Sequence, residues 1–317
     1  MKPCQEIINK YGLYDLVLLK KSNEITFVFG CQDKTLGVKM FKLVDKDRIM
    51  QGSLETMHED TEILHQYCDY VLHIEEIHIT LNEIDVVFDL CDYNFKYFKT
   101  HSYSPSQFIQ YVTQMLVLFS IAQCENILHR NIKPSNILFK NNQVKVADFS
   151  GSFGKLDVDL EPVGWEDSNY LPLEIIKYSD KLRANDREIL SLSFLGFVKL
   201  DVFALGITLL EILLKLNKKG VHLLAKLRFQ SEYSRFTSYI DRVSLGSYTK
   251  KMKLLLRYML HQDPIIRPDF ILCSKIMEIF YSADYQTIEK LLSSKLKKLL
   301  SSRIKPFFSY NYSHKFS

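Results

Sequence analysis

The sequence has no Cys-x-x-Cys pair; its six cysteines, Cys4, Cys31, Cys68, Cys91, Cys124 and Cys273, are scattered. That spacing argues against a zinc site and a disulfide frame, and reads as reduced, intracellular thiols. Its nine histidines show no metal-ligand spacing either. The excess of positive charge is only +4, too small to argue for a nucleic-acid partner. The first twelve residues lack a long apolar core, so no signal peptide is read there, and the expected location is cytoplasmic. The most apolar region, residues 190–216, is interrupted by Lys199, Asp201, Glu211 and Lys215, which suits a buried helix and not a membrane span. No internal repeat or low-complexity segment breaks the chain. At 317 residues, 47% hydrophobic and 25% charged, it is a globular sequence long enough for one large two-lobed domain or two ordinary ones.

Glycine is missing between Gly12 and Gly30. Residues 14–19, 25–31 and 36–42 nevertheless read as three strands with short polar links, which predicts an antiparallel meander. The first link, Lys20-Lys21-Ser22-Asn23-Glu24, therefore lacks the residue that lets backbone amides approach a phosphate closely, and its plain reading is a solvated turn. Lys39 lies mid-strand between Val38 and Met40, facing away from both by the period of two. Residues 53–67 read as a helix bearing Glu55, Glu59, Asp60 and Glu62. Residues 84–90 read as a strand running into Cys91-Asp92. Ser104-Pro105-Ser106-Gln107 is a capping box, and Phe108, Val112, Met115, Leu116, Phe119 and Ile121 give the helix after it a buried face.

That helix delivers the chain to His129-Arg130-Asn131-Ile132-Lys133-Pro134-Ser135-Asn136. A strand at Ile137–Lys140, a turn at Asn141-Asn142 and an alternating run Val144–Ala147 then lead to Asp148-Phe149-Ser150. One hairpin thus pins two polar loops together and presents Lys133, Asn136 and Asp148 to one point. A carboxylate with an amide oxygen suits a hard cation such as magnesium, and a nearby lysine suits a phosphate.

This stretch resembles the catalytic loop of protein kinases, His-Arg-Asp-x-Lys-x-x-Asn, followed by Asp-Phe-Gly. Lys133-Pro134-Ser135-Asn136 looks like the serine/threonine class. The resemblance covers roughly residues 14–281 and implies an α+β, bilobal protein-kinase-like fold, with a small β-rich N-lobe (1–91), a larger helical C-lobe (92–284), and a tail (285–317) outside it. It implies that Lys39 and Lys133 neutralise the phosphates of ATP and that Asn136 and Asp148 hold Mg2+. It also implies that Glu59 pairs with Lys39, with Glu62 as the competitor. Phe88 is then the gatekeeper, and the backbone of Asp89 and Cys91 meets the adenine. Asp201-Val202-Phe203-Ala204-Leu205-Gly206 resembles the start of the central C-lobe helix, whose acid caps the catalytic loop. Tyr170-Leu171-Pro172-Leu173-Glu174 resembles the end of the activation segment, and Arg267 of Asp263–Pro268 is its buried partner. Residues 181–197 fall in a connection longer than the family's usual one and read as an inserted or extended helix.

Two parts depart from the family. Asn131 stands where the catalytic aspartate should be, and the phosphate turn has no glycine. Ser150 in place of glycine is a milder change. Loss of a positioned base costs ~10²–10⁴ in rate. The preferred reading is a pseudokinase: a serine/threonine kinase-like protein with weak ATP and magnesium binding that acts as scaffold or allosteric regulator of a protein partner. The alternative is an active serine/threonine kinase that transfers the ATP γ-phosphate to a protein hydroxyl. A nucleotide-independent binding module is the third class. In the tail, Ile288, Leu291, Leu292, Leu296, Leu299, Leu300 and Ile304 recur at helical spacing among Lys290, Lys295, Lys297, Lys298 and Arg303. Such a basic amphipathic helix can dock on the C-lobe, fit a partner's groove or lie on a membrane surface.

Overall fold

The computed structural model describes residues 3, 5–11, 16–22, 26–31, 36–42, 48–79, 83–149, 168–174, 194–229 and 232–301. The N-terminal half builds a five-stranded antiparallel sheet, in the order β1-β2-β3-β5-β4. Its strands are β1 (Leu16–Ser22), β2 (Thr26–Cys31), β3 (Leu36–Lys42), β4 (Ile74–Ile79) and β5 (Glu83–Asp89). The expected meander is present as the β1–β2 and β2–β3 pairs, with a register shift in β1 between Leu18 and Lys20. The first strand runs later than the sequence predicts, so Lys20, Lys21 and Ser22 belong to β1 and not to the turn. β3 pairs with β5, which sets Lys39 opposite Val86 and Gly37 opposite Phe88.

Two helices accompany this sheet. α2 (Arg48–His65) starts earlier than its apolar spacing suggests and buries Met57, Asp60, Thr61 and Leu64. α1 (Gln5–Tyr11) has no counterpart in the sequence reading. It is a seven-residue helix, too short to stand on propensity alone. Tertiary contacts hold it: Ile7 and Ile8 are buried, and Glu76 of β4 accepts from Lys10 Nζ at 2.6 Å and from Tyr11 OH at 2.7 Å.

The C-terminal half is helical around one core. α3 (Pro105–Cys124) is capped by Ser104, whose Oγ accepts from Gln107 N at 3.1 Å. The reciprocal half of the capping box is absent, because Gln107 donates to Tyr111 OH instead. A second sheet, in the order β6-β7-β8, comprises β6 (Tyr93–Asn94), β7 (Ile137–Lys140) and β8 (Gln143–Val146). Asn141 and Asn142 turn the β7–β8 hairpin at φ +53 and +60, the conformation that two-residue hairpins require and asparagine tolerates. α4 (Phe194–Leu213) is apolar on all sides, and from Val198 to Ile212 every residue is buried. At Gly206 a Cβ would lie 2.7 Å from Leu260 Cδ2, so a larger residue there would have to push the Leu260 side chain aside. Among the described residues no helix is long and apolar enough to cross a membrane. The expected extension over residues 181–197 lies largely outside the described residues.

The remaining helices are α5 (Lys218–Phe229), α6 (Tyr233–Asp241), α7 (Thr249–Met259), α8 (Phe270–Glu278) and α9 (Tyr285–Ser301). α8 stacks Phe270 on Phe119 of α3, with ring centroids 4.9 Å apart. α9 is the first part of the tail. Asp284 caps it by accepting from Thr287 N at 2.7 Å, and Ile288 and Leu292 enter the C-lobe core beside α7 and α8. Ile288→Ala and Leu292→Ala should each cost ~2–5 kcal/mol. Lys290→Ala, at an exposed position of the same helix, should stay within ~0.5 kcal/mol. Urea denaturation of the three variants checks this; equal effects would mean that the helix does not dock.

Candidate functional site

The loop at residues 129–136 is fixed from below by α4. Asp201 is buried and accepts from His129 N at 2.8 Å and from Arg130 N at 2.9 Å, one bond to each carboxylate oxygen. The two bonds hold Arg130 at φ +62, a costly conformation for a side chain of that size. Burial pushes the Asp201 pKa up to about 6, although both N–H groups and the Arg130 charge oppose it. The Arg130 guanidinium sits 5.7 Å from the Phe197 ring centroid.

His129 is fully enclosed. Its Nδ1 accepts from Asn131 N at 3.2 Å, and its Nε2 lies 3.1 Å from the Ala147 carbonyl, which can only accept. The ring is therefore the neutral tautomer with its proton on Nε2. Burial lowers its pKa to about 4, against the opposing pull of Asp148. Phe149 packs on it, with centroids 4.5 Å apart. Phe149 and Leu64 of α2 are both wholly buried in one apolar cluster, so that cluster runs from the N-lobe helix to the loop.

The polar side chains converge as the hairpin predicts. Ala147 N donates to Asn136 O at 2.8 Å and Asn136 N to Lys133 O at 3.0 Å, which ties the two loops together. Asp148 stands at φ +71. Its Oδ2 accepts from Asn131 Nδ2 at 3.1 Å and from Asn136 Nδ2 at 3.2 Å. Asn136 Nδ2 also donates to the Asn131 backbone oxygen at 2.9 Å. Asp148 and Asn136 thus meet and carry the oxygen donors that magnesium takes, so this pair fits the metal by donor chemistry. Lys133, half-buried, flanks them on the same loop.

The upper wall is less complete. Lys39 is placed in β3, but its side chain lies outside the described residues. Glu59 faces solvent on α2, and Glu62 is half-buried with an oxygen 3.6 Å from His73 Nδ1. The acid that α2 turns inward is Asp60, at 6% exposure. The buried face of α2 runs Met57, Asp60, Thr61, Leu64, the i, i+3, i+4, i+7 series, and Glu59 lies off it. That periodicity was readable in the sequence. Phe88 and Asp89 end β5, and Asp89 Oδ1 pairs with Lys140 Nζ at 2.9 Å. Cys91 follows, its thiol 3.8 Å from the Asp89 carbonyl and pushed up to about 12 by burial, which makes it a poor nucleophile. Among the described residues, no group of three or more His, Cys, Asp or Glu side chains could hold a metal ion.

A second polar cluster anchors the end of the activation segment. Arg267 is wholly buried and donates to Glu174, as expected, and also to His261 O at 2.7 Å. Its guanidinium lies 4.8 Å from the Phe203 ring, and buried Lys199 donates to its backbone oxygen. Arg228, which the sequence reading missed, donates to Asn169 O at 2.6 Å. Burial, then the Arg267 charge, lower its pKa to about 9. Tyr170 OH donates to the buried Glu211 at 2.6 Å, and Lys99 pairs with the same carboxylate.

A two-lobed arrangement of this kind, with a capped loop at residues 129–136 facing Asp148, is the protein-kinase fold. The chain belongs to the protein kinase family: the protein kinase domain model matches residues 25–281. It is 26% identical over 273 residues to a candidate serine/threonine-protein kinase of Acanthamoeba polyphaga mimivirus, covering 83% of this chain and 91% of that protein. It is 28% identical over 189 residues to the Wee1-like protein kinase of Arabidopsis thaliana, and 27% over 157 residues to protein kinase wis1 of Schizosaccharomyces pombe. Those two alignments cover 59% and 48% of this chain, and only 33% and 24% of the relatives. The domain is serine/threonine kinase-like, a class that in general uses ATP and Mg2+.

The neutral, enclosed His129 makes the site sensitive to acid. Its folded pKa of about 4 lies below the ordinary 6.5, so the unfolded chain binds more protons between those values. Its contribution is therefore complete above pH 6.5 and is lost as pH falls towards 4. Asp201 shifts the other way over part of this range, so the comparison should be made against His129→Phe, which retains Asp201. The stability gap between wild type and His129→Phe should shrink by up to ~3 kcal/mol from pH 6.5 to 4. A gap constant across that range in urea titrations would contradict the neutral assignment.

Proposed function

We propose that this kinase domain binds ATP weakly, is impaired in phosphoryl transfer, and serves as a scaffold or allosteric partner for another protein in the cytoplasm. The observation that carries this is Asn131, at the position of the catalytic carboxylate. Its amide nitrogen is directed at Asp148, and an amide cannot take the proton of a substrate hydroxyl. Asp148 and Asn136 would hold magnesium, which would offset the negative charge of the ATP phosphates. Lys133 and Lys39 would neutralise phosphate oxygens. The backbone at Asp89 and Cys91 would meet the adenine beside Phe88. Weak affinity follows from the glycine-free segment between Gly12 and Gly30.

A second reading is an active serine/threonine kinase that tolerates Asn131. The loop geometry favours it, because Asp201 still caps the backbone and Asp148 still faces Asn136. Positioning and charge supply much of the catalysis of phosphoryl transfer, so an intact frame retains part of the rate. For the tail, Ile288 and Leu292 are buried in the C-lobe core, and the basic stretch after them in the sequence is the part that would meet a partner protein or an anionic surface.

Thermal-shift titration with ATP–magnesium, followed by radiolabelled phosphate transfer on the same preparation, tests the proposal. At ~10 Kd of ligand the stabilisation should be about 1.4 kcal/mol. Lys39→Met should reduce it, and Asn131→Asp should raise transfer. A wild-type rate in the ordinary range of ~1–100 s⁻¹ would overturn the impaired assignment. No stabilisation at millimolar ATP would favour a nucleotide-independent scaffold.

A further inference from the structure

A groove of about 630 Å³ opens between α3 and the β7–β8 hairpin, and none of its lining residues belongs to the loop at 129–136. One wall is a row of side-chain amides on α3: Gln107, Gln110 and Gln114, at the i, i+3, i+7 spacing that sets them on one face. The other wall is the hairpin, with Asn142 and Gln143 at its turn and Lys140 and Lys145 on its strands. Tyr111 apart, every lining side chain is polar. Sites for small molecules are mostly apolar with a few polar groups, and this groove is the reverse.

A side-chain amide carries both a donor and an acceptor, the pair that a peptide unit presents. Seven residues of helix rise ~10.5 Å, about the span of three residues of extended chain. The three glutamines are therefore spaced to meet successive peptide units. Gln114 already serves a peptide unit within the fold, since its Oε1 accepts from Val144 N at 3.0 Å. Further along the same edge of β8, Val146 N donates to Tyr70 O and Leu72 N to Val146 O, both at 2.8 Å. An incoming segment thus finds the strand edge taken and must bind through the side-chain amides. Charge selects what it carries. Two lysines and one aspartate line the groove. Asp89 Oδ1 takes a bond from Lys140 at 2.9 Å, and Lys145, 8% exposed, donates to the neutral Asp69 carbonyl. An ammonium has three N–H groups, so each lysine can receive a carboxylate without giving up its present bond. We infer that this groove binds an extended, acidic peptide segment of a partner protein. The inference rests on the partner-binding reading above, and deepens it by naming the surface and the chemistry it recognises.

The test measures fluorescence anisotropy of a fluorescein-labelled ten-residue peptide of alternating glutamate and serine with the full chain, beside the matching lysine–serine peptide. The acidic peptide should bind with a Kd below ~1 mM at low salt, at least tenfold more tightly than the basic one, and should weaken as NaCl is added. Gln110→Glu and Lys140→Glu should each weaken it at least fivefold. Gln110 is exposed, so its variant keeps the test decisive should Lys140→Glu, which loses the Asp89 pair, fail to fold. In ¹⁵N-labelled protein the acidic peptide should shift the side-chain amides of Gln107, Gln110 and Gln114. Equal binding of the two peptides, binding untouched by Gln110→Glu, or displacement of the peptide by micromolar inositol hexakisphosphate, which would mark a small-anion site, would each overturn the inference. A chain that binds ATP–magnesium with impaired transfer but takes no acidic peptide would overturn it and leave the function above standing. Peptide binding by a chain with an ordinary kinase rate would support the groove and overturn the impaired assignment.

Discussion

The Asp201 carboxylate, enclosed in α4, accepts the backbone N–H groups of His129 and Arg130, and the rest of the site takes its position from those two bonds. They hold Arg130 at a positive φ that a long side chain adopts only when its surroundings enforce it. The loop then presents Asn131, Lys133 and Asn136, while the His129 ring closes the floor against Phe149. Because α4 is itself packed through Gly206 against Leu260, the loop inherits the rigidity of the C-lobe core. The departure at Asn131 is therefore chemical: the frame that would aim a catalytic base is in place, and the group it aims is an amide.

The same economy of buried charge appears at the end of the activation segment. Arg267, with no exposed side-chain surface, is met by Glu174, two backbone carbonyls of its own turn and the Phe203 ring. Removing one partner of such a pair leaves a charge stranded in a poor solvent, typically at a cost of ~3–5 kcal/mol. Glu211, near the C-terminal end of the apolar helix α4, is reconciled with burial by Tyr170 and Lys99. These contacts join residues 168–174 to the lobe. They separate the architecture of the domain from its catalytic state.

Much of this was legible in the chain. The hairpin from Ile137 to Val146 announces itself by alternation and by Asn141-Asn142, and the converging loops follow from it. The Asp201 cap and the Arg267–Glu174 pair followed from the family resemblance, since neither has a local signal. On α2, distance from Lys39 singled out Glu59, whereas the face through Met57 and Leu64 turns Asp60 inward. α1 was missed because its order comes from Glu76, sixty-five residues away, and nothing within seven residues predicts that. Arg228 was missed for a similar reason: it is one basic residue among several on α5, and only the folded lobe reveals that this one is enclosed. The orientation of the Asn131 amide was not readable at all, since it depends on which donors and acceptors the fold brings within 3 Å.

That orientation is the centre of the account. An asparagine with its nitrogen on Asp148 gives a site in which the proton-accepting group is gone and the cation-binding carboxylate is already neutralised in part. An asparagine with its oxygen on Asp148 would be repelled and would swing into solvent. The side-chain NH2 of Asn131, assigned in ¹⁵N-labelled protein by comparison with Asn131→Asp, reports the difference directly. The account predicts a resonance protected from solvent exchange and shifted as for an amide bonded to a carboxylate. A rapidly exchanging Asn131 amide would contradict it.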